Sequence, residues 1–321
     1  MTLEEMEKNI VRYADLKPCK TAFIDAHTPG SSQKDNFTII GAGVSESPDQ
    51  HVHINQTPGF NIGAAGQPPG CTNSLHSHTT AEVFYVLKGR WRFFWGRYGD
   101  AGELVAEEGD MVNIPTGIFR AFENVGDDYG MLMAILGGND AGGGVTWTPE
   151  VIHDAKNFGL ILGENGLLYD TKRGESLPKN VNPMPILSEA KLKNFPEIST
   201  EEFINNFFVS SSELNRQSQN SPLKVIGKDG ILKDRPGFEV EYITTDTFID
   251  EPYIASRYEV NMIMSGVWSL EWNGNSTSLS PGDTCLIQPD LSHKIVPAES
   301  GNVSLFRVTN TDDTAGPTRR R

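Results

Sequence analysis

Residues 70–89 run GCTNSLHSHTTAEVFYVLKG, with His76 and His78 two positions apart and Glu82 four further on. On a β-strand, residues i and i+2 share a face, so both imidazoles point the same way. Glu82 has the same parity, yet on one straight strand it would lie roughly 20 Å from His76 at ~3.3 Å per residue. A metal ion at about 2.1 Å from each donor needs them clustered. The chain is therefore predicted to bend at Thr79-Thr80 and bring Glu82 back on the next strand, facing the histidines. Two neutral imidazoles and one carboxylate then present a facial N,N,O set with open positions, suited to Fe(II), Mn, Ni, Co or Zn.

Outward from this stretch the chain repeats itself. EVFYVLKGRWRFFWG, from Glu82, aligns without gaps with the run that begins EVNMIMSGVWSLEW at Glu259. Glu82 meets Glu259, Gly89 meets Gly266, Trp91 meets Trp268 and Trp95 meets Trp272; further on, Gly109-Asp110 meets Gly282-Asp283. Such self-similarity predicts two copies of one domain. Between the copies and around them, 32 glycines and 19 prolines punctuate apolar runs of strand length, the pattern of an all-β chain. Few helices are predicted. Thr2 to about Tyr13 opens with a Thr-x-x-Glu capping box. Thr148-Pro149-Glu150 starts a helix that Gly159 closes, and Ser199 starts another that runs to about Phe208. The expected organisation is an N-terminal helix and arm (1–35), a first barrel with the metal site (36–165), a connecting segment (166–208) and a second barrel (209–321).

The pattern G-x5-H-x-H-x3-E-x6-G at Gly70, His76, His78, Glu82 and Gly89 resembles the first motif of the cupin superfamily at every fixed position. Gly109, Pro115, Gly117 and Asn124 match the second motif, but Arg120 stands where that family places a fourth ligand, a histidine. With the repeat, the chain is similar to two-barrel cupins of the quercetin-dioxygenase-like and gentisate-dioxygenase-like kind. The resemblance implies two tandem jelly-roll barrels, a divalent transition metal on His76, His78 and Glu82, with Fe(II) favoured, and edge-to-edge association into a homodimer. A guanidinium stays protonated and cannot ligate a cation. Arg120 is thus read either as a catalytic clamp for a metal-bound substrate anion or as a side chain turned outward, with water in the fourth position.

The second copy keeps Glu259, Gly266, Gly282 and His293. Tyr253 and Ala255 replace the histidine pair, and Gln288 and Asp290 replace the proline and glycine. It is expected to be metal-free and structural. His51 and His53 share the i, i+2 spacing without a carboxylate or a glycine frame, so a surface strand or loop is expected, with a pocket role as the alternative. His27 and His153 read as surface or helix residues, Cys71 as a small buried thiol, and the four repeated tryptophans as barrel core. Phe84, Phe119 and Phe122 suit either an aromatic pocket or wall packing.

Composition narrows the function classes. Lys+Arg 27 against Asp+Glu 42 gives a net charge of −15, which disfavours nucleic acid. No apolar run approaches the ~20 residues that span a bilayer. The acidic start MTLEEMEKN is unlike a secretory leader. The three cysteines, Cys19, Cys71 and Cys285, are odd in number and far apart, against a disulfide framework. The expectation is a cytoplasmic, metal-dependent dioxygenase that takes dioxygen and a small aromatic or enolic anion, with Glu82 balancing charge. A non-oxidative decarboxylase, isomerase or hydrolase on a carboxylated metabolite, and a non-catalytic ligand-binding module, stay open beside it.

Overall fold

A computed structural model describes residues 1–138, 145–233 and 237–311; the basic tail Arg319-Arg320-Arg321 lies outside them. The chain forms two all-β jelly-roll barrels with a few short helices. In the first barrel, strands Thr146–Trp147, Thr72–Ser77, Arg120–Asn124, Trp91–Trp95 and Gly102–Ala106 make one sheet, in that order. The facing sheet runs Phe208–Val209, Met111–Ile114, Glu82–Lys88, Gly130–Gly137, Phe60–Gln67, Asp35–Ile40, Val52–Ile54. The second barrel repeats the plan with fewer strands. One sheet runs Ile10–Val11, Thr284–Ile287, Glu259–Ser265, Ser304–Asn310, Phe238–Thr244, Leu223–Ile226, and the other Tyr253–Ile254, Ser292–Pro297, Trp268–Trp272, Asn275–Leu279.

The strand patterns explain where the cores sit. Trp91, Phe93 and Trp95 alternate with the less buried Arg92 and Phe94, so one face fills the first barrel. Trp268, Leu270 and Trp272 do the same in the second. Gly130–Gly137 is buried at every position, because its sheet is covered on both faces. Leu132 and Ala134 point into the first barrel, while Met131, Met133 and Ile135 join Met262, Met264, Phe306 and Val308 in a core shared between barrels. Tyr85 meets Phe306 edge-on across that core, ring centroids 5.3 Å apart.

Each barrel also takes its edge strand from the segment leading into the other. Ile10–Val11 pairs with Cys285 and Thr284 of the second barrel, while Phe208–Val209 pairs with Val112 and Met111 of the first. The repeated Gly-Asp dipeptides receive these crossings. Asp283 accepts from Tyr13 N at 2.9 Å, and Asp110 accepts from Ser211 N at 2.8 Å. Gly282 (φ +88°) and Gly109 (φ +87°) have no room for a Cβ, which would lie 2.5 Å from Tyr13 and 2.8 Å from Ser211.

The N-terminal helix is shorter than expected. The capping box at Thr2 and Glu5 is present, but the helix spans only Leu3–Glu7, because the following residues are drawn into the edge pairing with Cys285. The arm (1–35) is therefore split, its start lying on the second barrel. The two other expected helices are Pro149–Asn157, followed by Gly159 at φ +93°, and Thr200–Phe207, capped by Ser199. Among the described residues no helix is long and apolar enough to cross a membrane.

Candidate functional site

Strand Thr72–Ser77 ends at a bend over Thr79-Thr80, and Glu82 opens the next strand. The bend is pinned at both sides: Gly117 N donates to His78 O at 3.1 Å and Gly137 N to Ala81 O at 3.0 Å. His76, His78 and Glu82 are each 6% exposed and all line one cavity of the first barrel. The His76 Nδ1 lies 2.7 Å from Ser74 O, and the His78 Nδ1 lies 3.1 Å from Thr80 O and 2.9 Å from Thr80 Oγ1. A carbonyl accepts only, so each Nδ1 carries the proton and each Nε2 presents its lone pair. Burial first, and then the Arg120 charge, push both imidazoles below their ordinary pKa, His76 the further. Both rings are neutral near pH 7.

Arg120 is the main departure from expectation. It is 2% exposed and its strand pairs with His76 on one side and Trp95 on the other. Its Nε donates to Glu82 Oε2 at 3.1 Å and its Nη1 to His76 O at 3.1 Å; Nη2 donates to both Glu82 Oε2 and His78 Nε2. The guanidinium is thus neither turned outward nor aimed at the cavity, whose wall it does not join. It is spent on Glu82 and His78. Burial raises the Glu82 carboxyl, but Arg120, with His78, more than offsets this and holds it well below the usual carboxylate range.

The expected facial N,N,O set of His76, His78 and Glu82, with its open positions, is not assembled as the side chains stand. Among the described residues no three His, Cys, Asp or Glu groups are placed to hold an ion, because the guanidinium takes the lone pair of His78 and one Glu82 oxygen. The donor chemistry nevertheless fits a divalent ion. Two imidazoles have Nε2 free of a proton, fixed by backbone acceptors at Nδ1, and Glu82 Oε1 lies 3.3 Å from His78 Nε2.

The remaining wall is mostly apolar, with Phe23, Phe37, Phe84, Phe122 and Leu136 around it. Phe84 and Phe122 touch each other at 5.1 Å between centroids, whereas Phe119 packs on Phe195 of the connecting segment instead. The arm supplies Cys19, and the strand Asp35–Ile40 supplies Asn36 and Thr38, which no motif announced. Asn36 Nδ2 is buried with no hydrogen-bond partner. A buried ion pair, Lys34–Asp25, was also missed. Asp25 accepts from Ser74 N at 3.0 Å and Lys34 donates to Asn73 Oδ1 at 2.9 Å, holding the strand that carries His76.

Other singled-out residues fall outside the site. His53 spends both ring nitrogens on Thr38 O and Lys17 N. His51 is exposed, as is His153 on its helix, and His27 lies 3.6 Å from Asp170. Cys71 and Cys285 are buried free thiols. In the second barrel Glu259 is enclosed: Tyr253 and Asn261 donate to it, His293 Nε2 lies 3.3 Å away, and so does Arg307 Nε. Burial raises its carboxyl, and His293 with Arg307 overcomes that and holds it at about 2.

The fold defines the class: the chain is built from two jelly-roll barrels, and each is matched by one family model. A cupin domain model matches residues 66–136, and an AraC-like ligand binding domain model matches 236–309. The chain is 33% identical over 145 residues to germin-like protein subfamily 3 member 2 of Arabidopsis thaliana, covering 41% of this chain and 62% of that one. Among solved structures it is similar to an oxalate decarboxylase of Lactobacillus farciminis, at 10% identity, with 97% and 88% of the chains covered and a TM-score of 0.54. Protein Ylba of E. coli gives 10% identity, 96% and 92% coverage and a TM-score of 0.51. At such identities the structures share the fold.

Proposed function

We propose that the first barrel is a metal-dependent oxygenase for a small aromatic or enolic anion. The observation that carries this is the pair of neutral imidazoles, each fixed at Nδ1 by a backbone carbonyl, beside Glu82 on the wall of a largely aromatic cavity. His76, His78 and Glu82 would hold a divalent ion, which supplies Lewis acidity and a place for dioxygen when bound. Phe84 and Phe122 pack the flat body of the substrate and exclude water. Asn36 offers its unpartnered amide N–H to an acceptor atom of the substrate. Arg120 fixes the position of Glu82 and neutralises its charge.

A second reading, a metal-free ligand-binding module, is favoured by the guanidinium between Glu82 and His78. Protein reconstituted with Fe(II) under argon and given phenolic or enolic acids separates the two. Substrate loss matched by oxygen uptake on admitting air is the expected result. Turnover without oxygen uptake moves the reaction to decarboxylation or isomerisation. If His76→Ala leaves both ligand affinity and metal content unchanged, the enzyme reading fails.

A further inference from the structure

If the first barrel holds a metal as proposed above, the charge of Arg120 bears on how that ion is bound. The buried group comprises one carboxylate, one guanidinium and two imidazoles, each with Nδ1 on a backbone carbonyl and Nε2 presented as a neutral donor, so its sum is zero. A divalent cation would raise that sum to +2 among side chains exposed by 6% or less. Without the guanidinium the same donors would reach +1. Like charges at such spacing repel strongly in a poorly solvated interior.

Neither obvious relief is open. An ion can take the His78 Nε2 from Arg120 Nη2, but the guanidinium charge cannot leave: its strand is paired on both sides, Nη1 donates to His76 O, and it is 2% exposed. Among the described residues that line the cavity, Glu82 is the one acid. The missing negative charge has to arrive with the ligand. The unpartnered Asn36 N–H on the same wall is a further group in search of an acceptor.

We propose that Arg120 makes divalent-cation binding and anion binding in the first barrel mutually dependent: the ion enters with an anionic aromatic ligand and is held weakly without one. The second barrel pairs the equivalent carboxylate with an arginine as well. There Arg307 lies 3.3 Å from the equivalent Glu259, and Tyr253, Asn261 and His293 surround the same carboxylate.

The test is titration of the full chain with Mn2+, followed by calorimetry and by the loss of the free-ion paramagnetic signal, with and without benzoate. Benzoate is a flat monoanion that suits the phenylalanine wall. Wild-type affinity for Mn2+ should rise at least ~10-fold with benzoate, within the usual range of coupling between sites. Arg120→Gln should bind Mn2+ at least ~10-fold more tightly alone and gain little from benzoate. Arg120→Lys, which keeps the charge, should keep the dependence and guards against a folding defect in the glutamine variant. Equal Mn2+ affinity in wild type and Arg120→Gln, indifferent to benzoate, overturns the dependence and leaves the metal site standing. Absence of Mn2+ binding in all three proteins removes the metal reading and this inference together.

Discussion

The Trp272 indole donates to the Met1 carbonyl at 3.1 Å, and its repeat partner Trp95 donates to the Ile198 carbonyl at 2.9 Å. Each bond fastens the start of a segment whose strand completes that barrel's edge. The sequel is the same twice: a short helix, a two-residue strand, and a backbone N–H on the aspartate of the Gly-Asp pair. The barrels are thereby cross-linked without a disulfide.

Removing residues 1–15 should unseat this arrangement on one side only. The second barrel would lose its partner for Thr284 and Cys285 and expose an edge strand. A lowered melting temperature and concentration-dependent aggregation are expected by calorimetry and light scattering. Gly282→Ala tests the same crossing locally, with a loss of about 1–3 kcal/mol because both the φ of +88° and Tyr13 oppose the added methyl. An unchanged melting curve for either variant would count against the arm as a structural element.

Glu82 and Arg120 form a buried pair, so breaking it from one side should cost more than removing both. Glu82→Gln leaves a guanidinium without countercharge and should lose about 3–5 kcal/mol in urea unfolding. Arg120→Met on top of it should recover a good part of that loss, giving a favourable coupling in the double-mutant cycle. Strict additivity would show that the pair is not coupled in solution.

Glu46 supplies a pH dependence away from the candidate centre. Burial pushes its carboxyl from an ordinary 4.5 up to about 8, despite hydrogen bonds from the Trp147 indole and Ile24 N. The native state therefore holds a proton that the unfolded chain gives up above pH 4.5. The associated stability is complete below that value and is lost as pH rises through about 8. Glu46→Gln, which cannot ionise, should overtake the wild type in melting temperature as pH goes from 5 to 8. Parallel curves for the two proteins across that range would refute the assignment.

Asn36 should govern ligand affinity without touching the donors. Asn36→Ala removes the one buried, unpartnered amide among the described residues of the cavity wall and is expected to weaken benzoate binding roughly 5–20-fold, the value of one hydrogen bond. Calorimetry measures it directly. Loss of stability without loss of affinity would assign Asn36 to the framework.

Much of the fold was legible because periodicity is a local property. The alternation in WRFFW and WSLEW fixes which residues face each barrel interior, and the gapless repeat announces two copies. His76, His78 and Glu82 were legible for the same reason: strand parity plus a bend at Thr79-Thr80 is enough to gather them. Asn36, Lys34 and Asp25 left no signal. Asn36 comes from the strand Asp35–Ile40 and the ion pair from the arm, both well before the motif, and a single asparagine or ion pair has no period to detect.

By itself the sequence determined the doubled all-β architecture, the tryptophan cores and the three donors on one wall, since strand pairing and hydrophobic alternation are written residue by residue. The tertiary structure alone decided which barrel each edge strand serves and where the Arg120 guanidinium goes. The first depends on chain crossings between distant segments. The second depends on the nearest buried carboxylate, since a charge taken out of water settles on the countercharge that the fold brings within reach.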